Sequence, residues 1–122
     1  MKYKNPLERI FKASIYSFNG IFTALKNEQA FRFEFITLLI VCLLSFLLSL
    51  GFLRLLILIC AWLLVMAFEL VNSAVELTFD LIDSNYKSQI KAGKDMLSAA
   101  VFLMICVNVL LWILVLVEKF FK

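Results

Sequence analysis

Two runs of this chain lack a charged side chain for longer than a soluble fold tolerates: residues 35–53, with 19 residues, and 96–117, with 22. A bilayer core about 30 Å thick is crossed by about 20 apolar residues in a helix, so each run is long enough to span. Between them, residues 55–68 form a further uncharged stretch of 14, which stays mostly apolar to Phe79 but carries Glu69 and Glu76. It reads as a third span with its carboxylates toward one end. Across all 122 residues, 64% are hydrophobic and 17% charged. Soluble domains average about 45–50% and 25%. A domain this small would also leave much of its surface wet. Lipid is therefore the solvent, and the expected fold is all-α.

The same inventory excludes several functions. There is no histidine, which removes Ser-His-Asp and Cys-His catalysis and any His-ligated metal. Gly20, Gly51 and Gly93 are too few for the usual glycine-rich phosphate cradles. Gly93-Lys94 is followed by Asp95 rather than Ser or Thr, and Ser88 stands where a P-loop needs its first glycine. No basic stripe interleaves with stacking aromatics, so no nucleic-acid partner is expected. Cys42, Cys60 and Cys106 lie singly in apolar runs and read as small buried hydrophobes.

The spans are placed at 33–53, 55–80 and 94–117, in a single membrane domain covering 1–122. Only Gly51-Phe-Leu-Arg54 separates the first two, which predicts a tight helical hairpin with Arg54 as its outer anchor. The connection around 80–95 is longer and polar. Nine Lys and Arg residues flank the spans on the side of the N-terminus and this loop, against three on the other side. The excess puts the N-terminus and the 80–95 loop in the cytoplasm and the C-terminus outside. No signal peptide is expected.

Residues 5–30 carry a different pattern. Asn5 can cap a helix and Pro6 suits its first turn. Leu7, Ile10, Phe11, Phe18, Ile21, Phe22 and Leu25 recur at spacings of three and four, with Lys12, Asn19 and Lys26 off the stripe. Such a helix lies in the membrane interface with its apolar face down. The pattern fits a simple anchor and a catalytic element equally.

The informative polar residues are Glu69, Asn72, Glu76 and Asp80. At about 100° per residue they form one stripe roughly 80° wide, extending about 16 Å along the second span. An ionised carboxylate in a span costs at least about 2.5–3.5 kcal/mol, so two of them need compensation. Pairing with Lys94 or Arg32 is one answer; a site that binds a cation or reacts is the other. Magnesium takes one or two carboxylates plus substrate phosphates, and a lysine adds a point charge for a phosphate oxygen. Lys94-Asp95 starts the third span at the same depth, and Glu28 and Glu34 bracket the end of the amphipathic helix. The set suits phosphoryl transfer from a metal-bound nucleotide. It also suits a proton or cation pathway, such as a small transport subunit. Elsewhere, Trp62 in mid-span and most of the 13 phenylalanines read as packing, and Asn108 as a hydrogen bond to a neighbouring helix.

The segment Glu69-Leu-Val-Asn-Ser-Ala-Val-Glu-Leu-Thr-Phe-Asp80 resembles the signature of the bacterial diacylglycerol kinase family, with Phe79 in place of the usual valine. Asn27-Glu-Gln-Ala-Phe-Arg32 and Lys94-Asp-Met-Leu-Ser-Ala-Ala-Val101 resemble two further family segments. Arg9, Lys12, Ala13, Tyr16, Ser17 and Gly20 fall where the family's amphipathic helix has them. The resemblance implies an inner-membrane lipid kinase with three spans and an interfacial helix. It further implies a homotrimer with composite, cytoplasmic active sites that uses ATP with Mg2+ and a lipid alcohol.

By the match, the resemblance implies that Glu69 is the general base, with Asn72 and Lys94 also catalytic. It implies that Glu28 and Glu76 hold the magnesium, and that both count with Arg9, Tyr16, Asn85, Tyr86, Lys87, Lys94 and Asp95 as nucleotide contacts. Arg9, Ser14, Glu34, Glu69 and Ser98 are expected to face the lipid, and Asp80 to support the site. Asn85 and Lys87 stand where the family prototype has glutamate and histidine, which bears on nucleotide preference. The acceptor is expected to be diacylglycerol, with undecaprenol, the substrate of another branch, as the alternative; Ser73 favours the first.

Overall fold

The structure is a computed structural model describing residues 5–82 and 87–121. Four helices follow in order: α1 (Pro6–Asn27), α2 (Gln29–Leu47), α3 (Phe52–Ile82) and α4 (Ser88–Phe121). The last three are long and apolar enough to cross a membrane. At about 1.5 Å per residue, α3 and α4 are roughly 46 and 51 Å long, so both extend beyond a 30 Å hydrocarbon core.

Helix α1 starts where its sequence directs. The Asn5 side chain accepts the Glu8 N–H at 2.7 Å and Pro6 occupies the first turn. Its apolar stripe is open: Leu7, Phe11, Phe18 and Phe22 are all more than two-thirds exposed, while Lys12 pairs with Glu8. That is the surface of a helix lying against lipid. The helix ends at Asn27, short of residue 30, because Glu28 adopts an extended conformation (φ −99°, ψ 116°). The Glu28 N–H still bonds to the Ala24 carbonyl at 2.8 Å. Arg32 folds back to donate to the Leu25 and Lys26 carbonyls at 3.4 and 2.8 Å. A cationic side chain on the last carbonyls of a helix satisfies groups that lipid cannot.

The α2–α3 turn falls earlier than the sequence pattern places it. Residues 48–51 make the turn, and Phe52, Leu53 and Arg54 already belong to α3. Ser49 (φ 49°) and Gly51 (φ 83°) take the left-handed conformations that reverse the chain, and the Leu50 N–H bonds to the Ser45 carbonyl at 3.1 Å. Arg54 pairs with Glu118 at 3.3 Å and donates to the Leu50 carbonyl at 3.2 Å, so it ties α4 to the hairpin as well as marking its end. Lys119 reaches the Ser49 carbonyl at 3.4 Å.

Helix α3 is the centre of the bundle, packing against both α2 and α4, while α1 packs on α2. Its most apolar stretch is 33% buried, against 17% for α2 and α4. Near the turn the core is Val41, Leu50, Leu58 and Val115. At the other end Ala24, Phe31 and Met66 join α1, α2 and α3, with Trp62 and Leu70 against them. Asn108 donates to the Ala61 carbonyl on α3 at 3.1 Å, the expected interhelix bond, and to Met104 in its own helix at 3.0 Å. The three cysteines are free, but Cys60 is exposed on this chain rather than buried. In a span, an exposed thiol faces lipid or another subunit, both as apolar as a core.

Gly93 on α4 faces the Phe79 ring of α3. A Cβ there would lie 3.0 Å from the end of the Phe79 ring. Gly93→Leu is therefore expected to destabilise the helix pair by about 1–3 kcal/mol. Thermal unfolding in micelles measures the loss, and Phe79→Ala in the same chain is expected to recover part of it.

Candidate active site

The polar face of α3 lies at the end of the bundle away from the 48–51 turn. Glu69 and Asn72 are buried, at 7% and 9% exposure, Glu76 is half-buried, and Asp80 is exposed near the end of the helix. Glu28 is half-buried at the α1–α2 elbow, and Glu34 is buried in the second turn of α2 rather than at the end of the amphipathic helix. The charges of Glu76 and Glu28 act on Glu69, and that of Glu69 on Glu34. Four carboxylates from the elbow, α2 and α3 thus converge.

None of the four has an ion-pair partner among the described residues. Lys94 binds Asp80 at 2.7 Å, with the charge of Glu76 also acting on it, and Arg32 is engaged with the α1 carbonyls, so neither forms an ion pair with Glu69 or Glu76. Two atoms in this region, Glu34 Oε2 and Asn72 Oδ1, are buried without a hydrogen-bond partner. Unmade hydrogen bonds at buried polar atoms each cost about 1–3 kcal/mol, more for a charge. The cluster is an acidic site lacking its counter-charge.

Beside it runs an open groove of about 770 Å³ between α1 and α3. Gly20 and Ala24 on one wall and Leu70, Ala74 and Leu77 on the other make it apolar, with Glu28 at its edge. Small residues on α1 leave the width, and the volume is in the usual range for a ligand site. Another apolar groove, of about 750 Å³, lies on the last turns of α4 around Leu110, Leu114 and Val117, at the opposite end from the carboxylates.

The remaining sequence candidates are dispersed. Lys94 and Asp95 sit in the second turn of α4, which begins at Ser88, ahead of the expected span start at 94, within one continuous helix. Asp95 is paired with Lys91. Lys87 is exposed just before α4, its carbonyl accepting the Lys91 N–H at 3.0 Å, and Ser98 is exposed on α4. Asn85 and Tyr86 lie outside the described residues. Arg9, Ser14 and Tyr16 are exposed on α1, and Ser14 Oγ donates to the Ile10 carbonyl at 3.1 Å. Along a straight helix Arg9 is about 28 Å from Glu28, so the two mark opposite ends of α1.

One residue of this region was read from the sequence only as packing. Trp62 on α3 donates its indole N–H to the Glu34 carbonyl on α2 at 2.8 Å. A tryptophan in mid-span needs a partner for that N–H, which is the signal that could have singled it out.

Fold and site together define a helical membrane protein with uncompensated carboxylates and a lysine-bearing helix at one end of its bundle. The family model for prokaryotic diacylglycerol kinase matches residues 15–116. Diacylglycerol kinase of Escherichia coli (strain K12) is 38% identical over 112 residues, 92% of each chain. The Haemophilus influenzae diacylglycerol kinase is 37% identical over 106 residues, 87% of this chain and 90% of its own. Undecaprenol kinase of Bacillus subtilis (strain 168) is 27% identical over 117 residues, 96% of this chain and 95% of its own. The chain belongs to the prokaryotic diacylglycerol kinase family and, with it, to the lipid kinases.

Crowding like charges in a low-dielectric site costs stability that function can require. Glu76→Gln, which removes one charge and keeps the shape, is expected to raise the thermal midpoint of the protein without nucleotide or divalent cation. The gain is expected to be on the order of 1 kcal/mol, with a loss of kinase activity, measured side by side in detergent.

Proposed function

We propose that this protein transfers the γ-phosphoryl group of ATP to the primary hydroxyl of diacylglycerol, giving phosphatidic acid and ADP, at the cytoplasmic face of a bacterial inner membrane. The observation that carries the reading is Glu69: a buried carboxylate in a span, unpaired, among three other carboxylates. A carboxylate is retained in such a place when it reacts or binds.

Glu69 takes the proton of the lipid hydroxyl as its oxygen attacks the γ-phosphorus and the bond to the ADP oxygen breaks. Glu34, whose buried Oε2 has no partner, receives a hydrogen bond from the acceptor's polar head. The groove between α1 and α3 accommodates the adjoining apolar chain, with Ser14 and Ser98 toward its approaches. Asn72 orients Glu69. Lys94, released from Asp80, meets a phosphate oxygen, and Tyr16, Asn85, Tyr86, Lys87 and Asp95 contact the nucleotide.

The donor set fits magnesium: Glu28 and Glu76 are half-buried carboxylates outside any ion pair among the described residues, and hard oxygen donors of this kind suit it. Among the described residues no group of three acidic, Cys or His side chains is arranged to hold a metal alone, so the phosphates of ATP would complete the shell. The ion would offset the charge developing on the transferred group.

The separation of Arg9 from Glu28 supports composite sites in a homotrimer. Arg9 of one chain would reach the nucleotide or lipid held by the carboxylates of a neighbour. The many exposed apolar side chains of α2, α3 and α4 supply surface for such contacts. The Lys and Arg excess supports an N-terminus and active site inside and a C-terminus outside. The higher identity to diacylglycerol kinases than to the undecaprenol kinase supports the acceptor chosen.

Purified protein with labelled ATP, assayed with diacylglycerol and undecaprenol in parallel, is expected to label diacylglycerol preferentially. Equal or greater labelling of undecaprenol reverses the acceptor, and labelling of neither favours a cation- or proton-coupled transport subunit. Glu69→Gln is expected to reduce turnover by at least about 10²-fold with the oligomer intact. Near-normal turnover in that variant removes Glu69 from the role of base.

A further inference from the structure

Glu34 sits on α2, while the base it serves sits on α3. Their relative placement therefore depends on how the two helices are locked together. Side chains on a helix lean toward its N-terminus. Because α2 and α3 run in opposite directions, the Glu34 carboxylate leans toward the far end of the bundle and that of Glu69 toward the turn. They converge only if the helices hold the right register along their axes. Leu, Val and Phe contacts between spans are nearly interchangeable with lipid and fix that register weakly.

One directional contact joins the helices at this level. The Trp62 indole N–H donates to the Glu34 carbonyl oxygen itself at 2.8 Å. A helical carbonyl has a second lone pair, so it accepts the indole without losing its own helix bond. In an apolar medium that N–H has few other partners. Trp62 lies seven residues before Glu69, two helical turns back and within about 20° of the same face. The ring also packs on the Ala24, Phe31 and Met66 cluster, which joins the groove-lining part of α1 to both helices. Trp62 is thus attached to the backbone of the acceptor contact and to the floor beneath the base.

We propose that Trp62 is a positioning residue for the lipid acceptor: through its bond to the Glu34 carbonyl it fixes the register of α2 against α3 and so holds the Glu34 carboxylate opposite Glu69. The assignment rests on the reading of Glu34 as an acceptor contact. It bears first on the lipid: Lys94, Asp95 and Glu76 are anchored on other parts of α3 and α4, and of the nucleotide-side residues described only Glu28, which caps α2, shares the register that Trp62 fixes.

The test replaces Trp62 with β-(3-benzothienyl)alanine, which substitutes sulfur for the N–H with nearly the same shape, and separately makes Glu34→Gln and the combination. Full-length protein in nanodiscs is assayed with diacylglycerol and ATP varied independently. The Trp62 replacement is expected to raise the diacylglycerol KM about fivefold to tenfold, the size of one lost hydrogen bond, with a smaller change in the ATP KM. Glu34→Gln is expected to raise the same KM, and the combination no further than Glu34→Gln alone.

If Glu34→Gln raises the acceptor KM but the Trp62 replacement leaves it unchanged, or adds its full effect to Glu34→Gln, the Trp62 role is overturned and the acceptor site stands. A Trp62 effect on the ATP KM as large as that on the diacylglycerol KM, or an effect on folded yield alone, also overturns it. If Glu34→Gln leaves the acceptor KM unchanged, the acceptor reading falls and the Trp62 role with it. In a Trp112→Phe background, where Trp62 is the one remaining tryptophan, ultraviolet resonance Raman is expected to show a hydrogen-bonded indole. A free-indole signature overturns the proposal directly.

Discussion

A lipid interior offers no hydrogen bonds, and this governs where the chain can bend and which polar groups it can hide. Every interruption of the helical ladder described above is covered from within. At the elbow the Glu28 N–H returns to Ala24 and the Arg32 guanidinium covers two further α1 carbonyls. At the turn Leu50 returns to Ser45, and Arg54 covers the Leu50 carbonyl. Between helices, Asn108 and Trp62 each send their N–H groups to a carbonyl on a neighbour. Against this accounting, buried atoms without partners carry information. Glu34 Oε2 and Asn72 Oδ1 lie with the carboxylates, whereas Ser45 Oγ and Asn108 Oδ1 belong to the turn end and to α4.

The carboxylates invert the logic of the rest of the bundle. Elsewhere charges are paired: Arg54 with Glu118, Lys94 with Asp80, Lys91 with Asp95. Around Glu69 three further acidic groups gather, and none of the four is in an ion pair among the described residues. Such an arrangement favours ligands that bring positive charge with them and give up a proton to a carboxylate at the apolar boundary. A metal-bound nucleotide meeting a lipid alcohol fulfils both conditions. The small size of the chain is consistent with this division of labour. One slender bundle leaves most of its spans exposed, so the proposed trimer would provide both the enclosure and the distant Arg9.

Much of this was legible before any coordinates. Uncharged runs gave the spans, the three-and-four spacing gave α1, and Asn5-Pro6 gave its start, because each depends on neighbours along the chain. The carboxylate stripe of α3 was equally visible, since helical periodicity alone places 69, 72, 76 and 80 on one face. Less legible was the turn, which lies at 48–51 because Ser49 joins Gly51 in a left-handed conformation, a choice that composition does not announce for serine. Pairing of Arg32 or Lys94 with Glu69 and Glu76, the alternative to a reactive site, could be decided only in three dimensions. Both cations had nearer claims, on exposed helix-end carbonyls and on Asp80.

By itself, then, the sequence determined that the chain is a helical membrane protein and which of its few polar residues share one face of α3. Those properties follow from local periodicity and from the cost of charge in lipid. Tertiary structure alone decided which helices bring further residues to that face. It placed Glu34 of α2 within the field of Glu69 of α3, left both without a counter-ion, and joined Trp62 to the Glu34 backbone. The reason is physical. Contacts between spans hinge on axial register and on single directional bonds, and neither leaves a periodic trace in the chain.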